Sequence, residues 1–133
     1  MRVFLDTNVL ISAFITRGLS SEIFRLIVKE HHLVIGDTVI NEFKRILLKK
    51  FKIQQDEVDE ILDFLKSFEK CPYSGEKSPI QLANKDDEKV LANAIRSKSE
   101  ILITGDKDLL DIKQNLPIKI LSPRDFLQLI RSK

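Results

Sequence analysis

The sequence predicts an α/β domain with a central, mostly parallel sheet flanked by helices, and three observations support this. Short strand-like runs recur along the chain at Val3-Phe4-Leu5, Leu33-Val34-Ile35, Ile101-Leu102-Ile103 and Ile118-Lys119-Ile120. Stretches with a helical apolar period separate them. A length of 133 residues suits one domain with a real hydrophobic core, so residues 1–133 are expected to form a single unit.

Val3-Phe4-Leu5 is continuously apolar, as in a strand buried on both faces. Asp6-Thr7-Asn8 then offers N-cap chemistry to a helix carrying Val9, Leu10, Ala13 and Phe14. Gly18 and Ser20-Ser21 interrupt the pattern before a second helix through Ile23, Phe24, Ile27 and Val28. The second strand ends at Gly36-Asp37, and His31 and His32 ahead of it are expected in a loop. Helices are predicted over about 38–50 and 56–69, the latter carried by Val58, Ile61, Leu62 and Leu65. Residues 71–83, with two prolines and a glycine, read as a long loop or irregular strand. A helix over 86–98, the third and fourth strands, and a helix begun by Ser122-Pro123-Arg124-Asp125 complete the domain.

Composition narrows the function without naming it. The apolar share of 43% and the charged share of 32% are those of a soluble globule. No apolar run approaches the roughly 20 residues of a membrane span, and the N-terminus lacks a signal-peptide pattern, so the expected compartment is the cytoplasm. One cysteine, Cys71, allows neither an internal disulfide nor a cysteine-rich zinc site. Net charge is only +2, yet setting five acids aside from the 20 leaves 15 against 22 bases. An acidic pocket within a cationic surface suits an enzyme that brings phosphates to a metal.

Those five acids are Asp6, Glu42, Asp87, Asp106 and Asp108, in FLDTNVL, VINEF, DDEKVLANAI and LITGDKDLL. Asp6 and Asp106 follow strands, where ligands collect in parallel sheets. Asp87 precedes Val90 and Leu91 by three and four residues, so it projects along the apolar stripe of its helix. Glu42 lies at the edge of a stripe formed by Val39, Phe43, Ile46 and Leu47, where it can reach a cleft or simply meet solvent. Each acid also has an ordinary use as a helix cap or turn residue. Gathered together, however, two charges 4 Å apart repel by about 4 kcal/mol at an effective dielectric of 20. Such a group takes up protons or holds a divalent ion, and all-oxygen ligation favours Mg²⁺ or Mn²⁺ over zinc.

With these segments in view, the chain resembles the PIN-domain ribonucleases, in the VapC-like branch of toxin components of toxin–antitoxin systems. FLDTNVLISAF resembles the family's opening motif, VINEFKRILLKKF the second, DDEKVLANAI the third and LITGDKDLL the last. The resemblance implies Asp6, Glu42, Asp87 and Asp106 as catalytic acids, and those four with Asp108 as metal ligands. It also implies support from Asn8 and Thr104, a three-layer α/β/α fold, frequent homodimerisation and a small antitoxin partner. Asn84 and Asn41 stand where the branch often carries further acids.

The expected reaction is metal-assisted hydrolysis of an RNA phosphodiester, with Glu42 as ligand or orienter of water. Thr7 can hydrogen-bond a carboxylate or cap its helix. Lys44, Arg45, Lys49, Lys50 and Lys52 form a candidate phosphate rail, with Arg17 as an outlying contact, although such a run also suits a solvated helix face. One tyrosine and eight phenylalanines at mostly core periods give little support for base stacking. A P-loop hydrolase is disfavoured, because the four glycines form no GxxxxGK. The competing reading is a catalytically inactive PIN-like module that binds RNA or protein.

Overall fold

In the computed structural model, which describes residues 1–132, Val3-Phe4-Leu5 lies at the centre of a five-stranded sheet. The last residue of the expected 1–133 unit falls outside the described residues. The strands are β1 (Arg2–Leu5), β2 (His32–Gly36), β3 (Glu69–Cys71), β4 (Ile101–Ile103) and β5 (Lys119–Leu121). Every neighbouring pair is parallel, in the order β3-β2-β1-β4-β5. Phe4 pairs with Val34 on one side and with Leu102 on the other, and all three are fully buried.

Helices α1 (Thr7–Ile15), α2 (Leu19–Glu30), α3 (Asp37–Lys49), α4 (Gln55–Leu65), α5 (Lys85–Arg96), α6 (Lys107–Leu110) and α7 (Pro123–Arg131) flank the sheet as a three-layer α/β/α sandwich. α1 packs on α2 and α3, α3 on α4 and α5, and α2 on α7. Phe43 from α3, Leu91 from α5 and Phe126 from α7 are fully buried, each worth about 1.5–3 kcal/mol of burial. Ser122 caps α7 as expected, its hydroxyl accepting from the Asp125 amide at 3.1 Å.

Three expectations are corrected. The helix predicted to reach residue 69 stops at Leu65, and Glu69 instead opens an edge strand. The reason lies in Lys70, whose ammonium caps the Leu65 carbonyl and donates to Phe68 O at 3.0 Å, satisfying groups that a longer helix would bond internally. His32 is not in a loop: it begins β2 and pairs with Glu69 Oε1 at 2.7 Å, beside the Arg2–Glu69 bridge at 2.8 Å. The fourth predicted strand, now β5, runs one residue later, over Lys119–Leu121.

The chain winds outward from β1 through β2 to β3, then resumes on the other side of β1 with β4 and β5. β1 and β4 therefore meet at the point where the winding reverses. The crevice beyond their carboxyl ends is the natural ligand site of such a sheet.

Candidate active site

Asp6 follows β1 and Thr104 follows β4, so the reversal point sets them side by side. The Asp6 amide donates to Ile103 O at 2.9 Å, extending the β1–β4 pairing by one step. The Asp6 side chain is almost wholly buried, at 5% exposure. Its Oδ1 accepts from the Thr7 amide at 2.7 Å, and its Oδ2 accepts from the Thr104 hydroxyl at 2.7 Å. Burial pushes the Asp6 carboxyl above its ordinary range; the two hydrogen bonds oppose that, while Glu42 and Asp106 add to it. Asp6 is thus both the cap of α1 and a buried charge in the crevice.

Thr104 is fully buried and also accepts, its hydroxyl oxygen taking the Asp106 amide at 2.9 Å. Asp106 in turn caps α6, accepting from the Asp108 amide at 2.9 Å. Asn8 reaches across from α1 and accepts from the Gly105 amide at 3.2 Å. The loop carrying the last acids is therefore tied to the Asp6 turn through Thr104 and Asn8.

Asp87 enters from the first turn of α5, which Asn84 caps by accepting from the Asp86 amide at 2.8 Å. Oxygens of Asp87, Asp106 and Asp108 lie within 4.8 Å of one another. The Asp87 carboxyl is pushed up to about 7, first by burial, then by the neighbouring Asp106 carboxyl and the charges of Asp6 and Asp108. Glu42 projects from α3 into the same cleft, its side chain one-third exposed and 3.8 Å from Arg45. The cleft has a volume of about 240 Å³ and is lined by Asp6, Thr7, Glu42, Asp87 and Asp106, among others.

The donor set fits a hard divalent cation. Asp87 Oδ2 is buried and has no hydrogen-bond partner among the described residues, which is costly unless something positive meets it. Asp87, Asp106 and Asp108 supply oxygens that converge within 4.8 Å, and each Asp6 oxygen accepts one hydrogen bond, which leaves lone-pair capacity for a cation. Asp6 forms a fixed wall of the same cleft, and the third member of the triad, Asp108, is exposed.

The cationic residues are spread over several surfaces. Arg45 lines a second hollow that shares Glu42, Asp86 and Val90 with the acid cleft. Lys50 lines an apolar hollow with Ile11, Ile15 and Phe51, which shares Asn8 and Ile46 with the acid cleft. Lys44, Lys49 and Arg17 are exposed and line neither the acid cleft nor the two hollows beside it. Lys52 is also exposed, with φ of 52° after the end of α3. Tyr73, which periodicity gave no reason to select, lines the hollow beside Arg45. Only a non-local contact could have revealed it.

A family model for the PIN domain matches residues 2–108, a span that includes every one of the five acids. The chain belongs to the PIN-domain family. This PIN domain is similar over 96% of its length to the uncharacterized protein MJ1680 of Methanocaldococcus jannaschii, at 26% identity and across 90% of that protein. Its fold matches VapBC2 from Rickettsia felis, solved bound to a DNA fragment from its promoter. That match has a TM-score of 0.66 at 19% identity, covering 92% of this chain and 98% of the other. The α/β/α architecture is thus that of a PIN domain.

Proposed function

We propose that this PIN domain is a divalent-metal-dependent endoribonuclease that hydrolyses RNA phosphodiester bonds. The observation that carries the reading is the convergence of Asp87, Asp106 and Asp108 oxygens within 4.8 Å, in a cleft also walled by Asp6 and Glu42. Membership of a family of nucleases supports it. Asp87, Asp106 and Asp108 are the residues best placed to hold Mg²⁺ or Mn²⁺. A bound ion of this kind lowers the pKa of water and neutralises charge on phosphate oxygens.

The chain's own residues do the remaining work. Thr104 and the Thr7 amide keep Asp6 oriented and ionisable, and Asn8 fixes the loop of Asp106. Glu42, partly exposed and facing the cleft from α3, is the group free to orient or deprotonate attacking water. A serine, cysteine or histidine nucleophile has no part in this scheme.

The matching fold of VapBC2 supports reading this chain as the toxin of a toxin–antitoxin pair, bound by an antitoxin; that it works as a homodimer is part of the same proposal. Incubation with a mixed RNA pool tests the catalytic reading. Cleavage is expected with Mn²⁺ or Mg²⁺, and none with EDTA or in Asp87→Asn. Equal cleavage by wild type and Asp87→Asn would refute it.

A further inference from the structure

We propose that the groove leaving the acid cleft between α3 and α5 is a track for single-stranded RNA, on which Tyr73 stacks a base and Arg45 and Lys89 contact phosphates. This rests on the nuclease reading and extends it to how the strand is held.

Three hollows join end to end. The acid cleft shares Glu42, Asp86 and Val90 with the middle hollow, of about 460 Å³. The middle hollow shares Tyr73 and Lys89 with an outer one of about 490 Å³, which also carries Lys77 and Lys85. The all-acidic metal end thus gives way to mixed charge further out, where Arg45, Lys89, Lys77 and Lys85 stand among Glu42, Asp86, Glu76 and Glu88. That polarity suits a polyanion whose scissile phosphate sits at the acids and whose flanking phosphates lie beyond them. A larger hollow of about 530 Å³ near Glu100 and Lys119 touches none of the five acids.

Tyr73 stands where the middle and outer hollows meet, and its loop is built rather than loose. Arg96 donates to Pro72 O at 3.1 Å, to Ser74 Oγ at 2.9 Å and to Glu76 Oε1 at 2.5 Å. Fully buried Asn93 donates to Cys71 O and Pro72 O, each at 3.3 Å. The same Asn93 side chain accepts from the Thr38 hydroxyl at 2.8 Å, at the start of α3. One residue of α5 therefore fixes Tyr73 relative to the helix that presents Glu42 and Arg45. A rigidly held half-buried aromatic in a groove that also presents basic side chains is an arrangement that stacks bases without reading sequence.

The test measures binding of a labelled 10-nucleotide mixed-sequence oligoribonucleotide by anisotropy, in an Asp87→Asn background that keeps the strand intact. Tyr73→Ala is expected to weaken binding by about 5- to 150-fold, and Tyr73→Phe by less than about twofold. Lys89→Glu, at an exposed position that spares the fold, is expected to weaken binding and to reduce the log–log salt slope by about 0.7 for each phosphate no longer neutralised. Affinities within twofold of the parent for both Tyr73→Ala and Lys89→Glu would overturn the track. So would tenfold tighter binding of single-stranded DNA or of duplex RNA. Cleavage by Tyr73→Ala at the wild-type kcat/KM would also remove the track while leaving the nuclease. Tyr73-dependent binding without metal-dependent cleavage by wild type would do the reverse.

Discussion

The Thr104 hydroxyl donates to Asp6 Oδ2 across 2.7 Å, joining the residue after β4 to the residue after β1. The same oxygen accepts the Asp106 amide, so one buried hydroxyl serves two of the five acids. Replacing it with a valine methyl of similar shape leaves a buried carboxylate oxygen and an amide without this partner. Thr104→Val is expected to cost about 1–3 kcal/mol for each group left unpaired, read by denaturant unfolding. Thr104→Ser should retain most of that stability. Because the Thr104 bond lowers the Asp6 pKa, Thr104→Val should also move the acid limb of cleavage to higher pH.

Asp87 makes the metal-free protein sensitive to pH in an unusual direction. Its carboxyl is raised from 3.8 to about 7, so the folded state holds the proton more tightly than the unfolded chain. The contribution to stability is present below the unfolded pKa and is lost as pH rises through the folded one. Asp6 is shifted in the same direction. In EDTA, the melting temperature of wild type relative to Asp87→Asn should therefore fall as pH is raised from about 4 to about 8. A constant difference across that range would contradict the burial and repulsion seen in the cleft.

Asn93 and Gly36 form a tight joint under the site. A Cβ on Gly36 would lie 2.5 Å from the Phe4 ring and closer still to Asn93 Oδ1. Both neighbours are fully buried and neither can swing into solvent. Gly36→Ala is expected to destabilise by about 3 kcal/mol or more, since overpacking a close-packed core forces backbone shifts. Asn93→Ala should cost about as much by orphaning Thr38, Cys71 and Pro72 groups. Urea midpoints of both variants check this.

Glu42 lies outside the converging triad and, unlike Asp6, whose oxygens are held by Thr7 and Thr104, has a side chain one-third exposed. Glu42→Gln should reduce cleavage by about 100-fold, the lower range for loss of a general base. It should leave the Mn²⁺-induced rise in melting temperature nearly intact. A variant that loses both together would make Glu42 a metal ligand instead.

How far the chain could be read in advance depended on how local each signal was. Val3-Phe4-Leu5 followed by Asp6-Thr7-Asn8 announces a buried strand and a capped helix within a few residues, and the structure has both. The edge strand Glu69–Cys71 was hidden, because its three residues include two charged ones and continue the helical period before them. Its identity comes from pairing with Val34, Ile35 and Gly36 and from Lys70 capping α4. The acids were visible as residues, but not their mutual geometry. Asp108 and Asp106 meet Asp87 from a different helix, and Asp6 is held by Thr104 from 98 residues away. Tyr73 gave no periodic signal; its neighbours Pro72 and Ser74 are held by Asn93 and Arg96 from 21 and 22 residues away.

The most direct test is the melting temperature of wild type and Asp87→Asn in EDTA and in millimolar Mn²⁺. A cation bound only by the folded state at 100 times its dissociation constant adds about 2.7 kcal/mol, on the order of 10 °C for a chain of this size. The clustered carboxylates predict that rise in wild type and its loss in Asp87→Asn. An unchanged wild-type melting temperature in Mn²⁺, or an equal rise in both proteins, would mean that these acids do not gather around a metal.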